Sequence, residues 1–354
     1  MTPSIDTPDS PALDALCADL VAMAGHDAWP AEQLRRCGEA GVFRWFVGPE
    51  HGGLGWSEAD LVRGYRKLAA ACLTTAFVIT QRVGAMTRIA ACKNVDLQQR
   101  LLPALVAGRS FATLGISHLT TSRRHLKTPA LRFTEDNGGL ILDGLSPWVT
   151  GAEHADHVVL GAEAEDGRQV LLALPTNLTG VRVPPAPDLV ALTASRTGEL
   201  HCERVRVGAE QLLAGPMPEV MKYGLAAKTG GLQTSALALG LATAAVDYLA
   251  REAANRPDLV PPQESLRDEV IALAADMLAV ADGRPVCSGD ELRGRANSLV
   301  LRATQAALAA AKGAGFVAAH PVGRWCREAL FFLVWSCPPG VLNANLCELA
   351  GLGD

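Results

Sequence analysis

In the stretch LDGLSPWVTGAEHADHVVLGA, Trp148 and Thr150 stand two apart in a run that alternates like a β-strand. Side chains at i and i+2 of a strand point to one face. The pair could therefore present an aromatic plane and a hydroxyl donor to one flat ligand, although a core aromatic beside a buried hydroxyl has the same pattern. EHADH follows, with His154, Asp156 and His157 at i, i+2 and i+3; that spacing at the start of a strand does not converge three ligands on one metal. Further on, CREALFFLVWSCPPG reads as an apolar helix that stops at Trp335, Ser336, Cys337 and Pro338, with no acid or base at the stop. His118, in GISHLTTSRRH, titrates near neutrality in its ordinary state and is a candidate pocket acid or base; a His that fixes its loop by hydrogen bonds is the competing reading. Arg123, Arg124 and His125 could meet an anionic phosphate or form a solvated loop. The chain has no Gly-x-Ser-x-Gly elbow, no Walker loop and no Gly-x-Gly-x-x-Gly between a strand and a helix. Serine hydrolases, P-loop NTPases and a Rossmann dinucleotide site are thereby set aside.

Three kinds of element must position these residues. From residue 10 to 107 the pattern is helical: PALDALCADLVAMAG places Leu13, Leu16, Leu20 and Val21 on one face, and SEADLVRGYRKLAAACL has a Ser N-cap with acids in its first turn. From Arg109 to about Val207, short alternating or β-branched runs are separated by turn signals, with Asn137-Gly138-Gly139 and Asp166-Gly167 as hairpin turns. From Glu219 onward long helices return, over 219–255, 264–282, 290–318 and 323–336, with a short last one from 341. The predicted organisation is an N-terminal α-helical domain (1–108), a middle β domain (109–215) and a C-terminal helical bundle (216–354).

Composition bounds the function. The 354 residues are 49% apolar and 19% charged, with a formal net charge of −5. Lys and Arg are scattered, so nucleic-acid binding has nothing to rest on. Nine Cys with no Cys-x-x-Cys pair argue against a disulfide framework and a zinc site. The eighteen uncharged residues TGGLQTSALALGLATAAV approach the length of a membrane span, but Gly, Ala, Thr and Ser dominate them, which suits a helix buried all round. The start MTPSIDTPDSPALD has neither a positive n-region nor an apolar core, so no secretory signal is read there and a cytoplasmic protein is expected.

The strand around Trp148 resembles the flavin-binding strand of the acyl-CoA dehydrogenase family, Gly-x-Lys-x-Trp-(Ile/Val)-Thr followed by Ala-Asp. Gly144, Trp148, Val149, Thr150, Ala155 and Asp156 match it, and Ser146 stands where Lys is usual. GPEHGGLGW is similar to the first-lobe signature through Pro49, Glu50, Gly52, Gly53 and Gly55. LTASRTGELHCERVRV resembles the Ala-Ser-x-Thr-x-Glu-Leu strand, YLAREAANR the Arg-bearing bundle helix with Arg256, and Arg327-Glu328-Ala329 the Arg-Asp-Ala that opens the last long helix. These matches run from about residue 35 to the C-terminus.

The resemblance implies an N-terminal α-helical domain, a middle β-barrel domain and a C-terminal four-helix bundle. It implies FAD between the β lobe and the bundle, an acyl thioester on its inner face, and a homodimer or homotetramer. Trp148 would pack on the isoalloxazine beside Val149, Thr150 would hydrogen-bond the flavin near N5, Ser122 keeps the family's Ser before that strand, and Arg256 would reach FAD phosphates, across a subunit boundary in one version. The family's catalytic Glu falls on Ser336, and a serine of ordinary pKa does not remove an alpha proton unaided. The alternative base position, on the first bundle helix, falls near Gly230. Three functions stay open: acyl-thioester oxidation with a base recruited elsewhere (Glu264 or His118), a flavin monooxygenase using reduced flavin and oxygen, and a catalytically inactive flavin-binding or scaffold subunit. An electron-transfer flavoprotein would serve as partner in the first, a flavin reductase in the second.

Overall fold

The computed structural model describes residues 4–120, 129–222, 231–335 and 337–352. Helices α1 (Pro11–Met23), α2 (Ala31–Glu39), α3 (Glu58–Ala71), α4 (Leu73–Ala91) and α5 (Val95–Val106) come first. Their starts are set by local chemistry: Ser57 Oγ accepts from Asp60 N at 3.1 Å, and Asn94 Oδ1 accepts from Leu97 N at 3.1 Å, each satisfying an orphan amide. The central region holds β1 (Ala112–Gly115), α6 (Ser117–Thr120), β2 (Leu131–Asp136), β3 (Gly139–Thr150), β4 (His157–Glu163), β5 (Arg168–Pro175), β6 (Val181–Arg182), β7 (Thr197–Val207) and β8 (Leu212–Pro218). The helical region after it comprises α7 (Gln233–Ala253), α8 (Val260–Ala281), α9 (Gly289–Ala311), α10 (Pro321–Ala329), α11 (Phe331–Val334) and α12 (Pro339–Leu349).

The expected β-barrel is not formed. The strands make one open sheet in the order β6-β7-β3-β2-β4-β5-β8, with β1 added on β4. Closure needs a ladder between the two end strands, and the sequence of each edge works against one. β6 pairs two residues with β7 and runs into Pro184, Pro185 and Pro187, which have no amide to donate. β8, the other end strand, carries Pro216 and Pro218, a composition typical of an edge. The predicted Asn137-Gly138 turn joins β2 to β3, with Asp136 opposite Gly139.

The first and last helical regions share one apolar core, which takes in Leu68 and Ala69 of α3 and Leu237 and Leu241 of α7. A Cβ on Gly240 would lie 2.5 Å from Arg66 O, so α7 and α3 approach to backbone contact. That close packing is why the uncharged stretch is rich in Gly and Ala: α7 is a helix buried on most sides, and no helix among the described residues is long and apolar enough to cross a membrane.

The last long helix departs from its predicted span of 323–336. It ends at Ala329, and the short α11 follows before Trp335 turns extended at φ −86°, ψ 127°. The first bundle helix likewise begins at Gln233, because the chain around Glu219 is still completing β8 and a short turn over Val220–Lys222.

Candidate functional site

The site is built on β3 and β7, which are antiparallel neighbours with Ser146 opposite Leu200, Val149 opposite Gly198 and Thr150 opposite Thr197. Between the first two pairs, Pro147 and Trp148 of β3 stand against the single Glu199 of β7, a bulge that re-aims the strand at Trp148. Val149 turns into the apolar core of the sheet. Alternation about Val149 sets Trp148 and Thr150 to the opposite face; Trp148 is 41% exposed and Thr150 only 1%. Gly144 enters this segment at φ +122°, and a Cβ there would fall 2.3 Å from Ala130 O, so the bend accepts only glycine.

Thr150 is tied into a buried chain of hydroxyls. Its Oγ1 lies 2.9 Å from Thr197 Oγ1, and Thr197 Oγ1 lies 2.8 Å from Ser195 Oγ. Ser195 sits in a short turn (Thr193–Ser195) flanked by Leu192 at φ +61° and Arg196 at φ +46°. Left-handed backbone at a leucine and an arginine costs about 1 kcal/mol or more each and persists where surroundings fix it. Backbone bonds from Ser195 N to Leu192 O and from Gly151 N to Arg196 O hold the turn against the end of β3. Ser195 and Thr197 lie within the ASRTGEL run that carries the family resemblance, but their meeting with Thr150 depends on strand register, which the sequence does not display.

The segment where the resemblance places the catalytic Glu is packed differently. Trp335 lies parallel to Phe331 at 5.5 Å and edge-on to Phe77 of α4 at 4.9 Å. Phe332 is fully buried, whereas Val334 is 78% exposed. Two residues one turn apart on α9 hold the carbonyls released where the helix breaks: Asn297 Nδ2 donates to Phe332 O at 3.0 Å, and Arg293 Nη2 donates to Trp335 O at 2.9 Å. Both side chains are buried. Burial brings the Arg293 guanidinium down to about 10.

Other predicted residues have separate engagements. His118 is buried, with Nε2 2.8 Å from Gly161 O. Glu264 is exposed on α8. Arg256 Nη1 donates to Ala310 O at 2.6 Å, capping the end of α9, and its guanidinium is flanked by Glu252 at 3.6 Å and Asp258 at 3.8 Å. Asp156 Oδ2 accepts from Ser110 Oγ and Phe111 N at 2.9 and 2.8 Å, while His154 stacks on Trp29 at 4.4 Å, so the EHADH residues point apart and join the first lobe to the sheet. Ser122, Arg123, Arg124, His125, Gly230 and Ser336 lie outside the described residues. One acid was not anticipated as a titrating group: Glu328 on α10 is buried and pushed up to about 7, because desolvation outweighs Arg324, 3.4 Å away, and Arg327.

A cleft of about 410 Å³ opens elsewhere, between α8, α9 and α12. Its charged groups are all engaged, Arg302 with Glu269, Glu348 with the Ser298 hydroxyl and Arg295 with Asp276. Such pairs line a surface groove without leaving a group free for chemistry, so the Trp148 face is the better candidate.

The family model described as acyl-CoA dehydrogenase, N-terminal domain, matches residues 14–109. A probable acyl-CoA dehydrogenase, YngJ of Bacillus subtilis (strain 168), is 24% identical over 248 residues, 68% of this chain and 64% of that protein. The mitochondrial short-chain specific acyl-CoA dehydrogenase of Mus musculus is 22% identical over 329 residues, 85% of this chain and 78% of that protein. Among solved structures, the electron transferring flavoprotein of Acidaminococcus fermentans has the same fold, with a TM-score of 0.82 at 18% identity over 95% of this chain and 96% of that one. The chain is thus similar to acyl-CoA dehydrogenases in its first lobe, and it shares with the solved structure the order of helices before and after a central sheet.

Proposed function

We propose that the chain is an FAD-dependent oxidoreductase acting on an acyl thioester. The observation that carries the reading is the Trp148 face. A large indole left 41% exposed, two residues before a buried Thr150 whose hydroxyl heads a polar chain, suits a flat ring system with a polar edge. These residues fit a flavin: Trp148 would carry its plane, Val149 would anchor the strand, and Thr150 would offer its hydroxyl to a polar ring atom. When bound, the flavin supplies the two-electron acceptor that no side chain can provide. Arg256 would add charge for the phosphates. Its contribution is smaller than that of Trp148, since Glu252 and Asp258 already offset it.

A second reading rests on Ser336. With serine at the usual Glu position, removal of an alpha proton lacks its ordinary base, a loss of about 10²–10⁴-fold in rate. His118 is engaged with Gly161 O and Glu264 faces solvent, so neither is placed as a substitute by its contacts. A monooxygenase using reduced flavin and oxygen needs no such base. Anaerobic titration of the flavin-loaded protein with a panel of acyl-CoAs separates the two. Bleaching of the visible flavin band supports thioester oxidation; a band that no thioester bleaches, with oxygen consumed after chemical reduction, supports the monooxygenase. A chain that takes up no FAD or FMN overturns both.

A further inference from the structure

We propose that Thr197 and Ser195 are positioning residues that fix Thr150 as a hydrogen-bond donor toward a ligand on the Trp148 face, and so select a ligand with an acceptor atom there. The inference rests on the flavin reading and deepens it.

The argument is a count of protons. Thr150, Thr197 and Ser195 bring three hydroxyl protons to two contacts, at 2.9 and 2.8 Å. All three residues are buried, at 1%, 3% and 0% exposed. If Thr197, in the middle, accepted from both neighbours, its own proton would be stranded in the interior; as a relay that donates one way and accepts the other, it leaves one proton over, at Thr150 or at Ser195. Among the described residues Thr197 is the only side-chain partner of Ser195 Oγ. A spare proton at Ser195 would therefore stay unpaired in the interior, which is unfavourable. If Ser195 donates to Thr197 and Thr197 donates to Thr150, the spare proton emerges at Thr150, where a ligand acceptor consumes it and every proton in the chain is paired. Hydrogen bonds aligned head to tail also polarise one another in the same sense. The turn that holds Ser195 behind Thr197 keeps two non-glycine residues at positive φ, and its backbone bonds to Leu192 and from Gly151 hold it in place. Position and direction are thus both fixed from behind Thr150.

The test is equilibrium binding of FAD and of 5-deaza-FAD, whose central ring has a C–H in place of the accepting nitrogen, to the full chain freed of flavin. Thr197→Val keeps the shape and removes the hydroxyl. It is expected to weaken FAD about tenfold, the scale of one hydrogen bond lost in a buried site, and to leave 5-deaza-FAD within about twofold of the parent. Thr197→Ser, which restores the hydroxyl, is expected to bind FAD within about twofold of the parent. Ser195→Ala should shift FAD in the same direction by about threefold, and decides the matter if Thr197→Val does not fold. Equal FAD affinity in Thr197→Val and the parent, an equal loss with both flavins, or a failure of Thr197→Ser to restore binding would each overturn the proposal. A parent that binds neither flavin overturns the functional reading itself and this inference with it, before any variant is compared.

Discussion

Two parts of the molecule flank the place where the resemblance puts chemistry, and they treat buried polar groups differently. At the end of β3, the hydroxyls of Thr150, Thr197 and Ser195 pair with one another inside the sheet. Around α9 to α11, Arg293 and Asn297 spend one arm each on a backbone carbonyl. Among the described residues the remaining Arg293 Nε and Asn297 Oδ1 have no hydrogen-bond partner, and Glu328 nearby in sequence is buried at a cost. The first arrangement is organised before any ligand arrives. The second holds a broken helix in place with polar groups that the described residues do not fully satisfy, so its side of the comparison carries the larger stability effects and the sheet side the larger binding effects.

The largest effect is expected at Glu328. Its carboxyl, ordinarily at 4.5, is raised to about 7. Below about pH 4.5 the folded and unfolded chains both hold the proton and the burial is tolerated. As pH rises from 4.5 to 7 the unfolded chain ionises first, so the stability present at low pH is lost through that window, on the order of 3 kcal/mol in all. Glu328→Gln removes the titrating group and keeps the shape. Chemical denaturation of parent and variant should coincide near pH 4.5 and diverge up to pH 7, with the variant the more stable; parallel curves across this range would mean that Arg324 neutralises the charge after all.

Next comes Asn297→Ala, which leaves Phe332 O without its donor and opens a small space beside it. The expected loss is about 2 kcal/mol, read as a lower midpoint of urea unfolding. FAD affinity should change little, because the residue acts on the helix break and not on the Trp148 face. A variant that keeps its stability and loses flavin would place α9 in the binding site and erase the contrast between the two regions.

Trp148→Ala should do the reverse. Stacking on an aromatic ring is worth about 1–1.5 kcal/mol beyond area burial, so flavin retention should fall about tenfold, while thermal stability stays near that of the parent because the indole is already 41% exposed. Unchanged flavin content after gel filtration would remove the isoalloxazine from this face.

How much of this was legible in the sequence follows from the distance over which each feature is set. Asn137-Gly138 names its own turn, and Trp148 and Thr150 name their shared face, because both are decided within a few residues. The hydroxyl chain joins Thr150 to a residue 47 positions later and depends on a register that a bulge shifts. The break after Ala329 interrupts an unbroken apolar run, and the carbonyls it frees are met by residues 35 and 42 positions earlier, so periodicity continued the helix where tertiary contacts end it. The closed barrel was expected from the family pattern, while the prolines after β6 and within β8 already marked two open edges.

The smallest expected effect falls on Ser336, and it tests the comparison from the other side. Ser336→Ala should leave FAD retention and stability within error of the parent, since the proposed flavin face lies on β3 and β7. Ser336→Glu places a carboxylate next to Trp335, whose ring is fixed against Phe77 and Phe331. If the register of the resemblance holds and a thioester binds there, the glutamate variant should bleach its flavin with an acyl-CoA under anaerobic conditions more readily than the serine parent. A Glu variant that retains FAD but shows no gain would mean either that the segment is offset from the family's position, or that the aromatic packing of Trp335 has closed the space in which an alpha proton would meet a base. Repeating the titration in Trp335→Tyr/Ser336→Glu separates these: recovery of bleaching only in the double variant would assign the loss to that packing, and no recovery in either would assign it to the register.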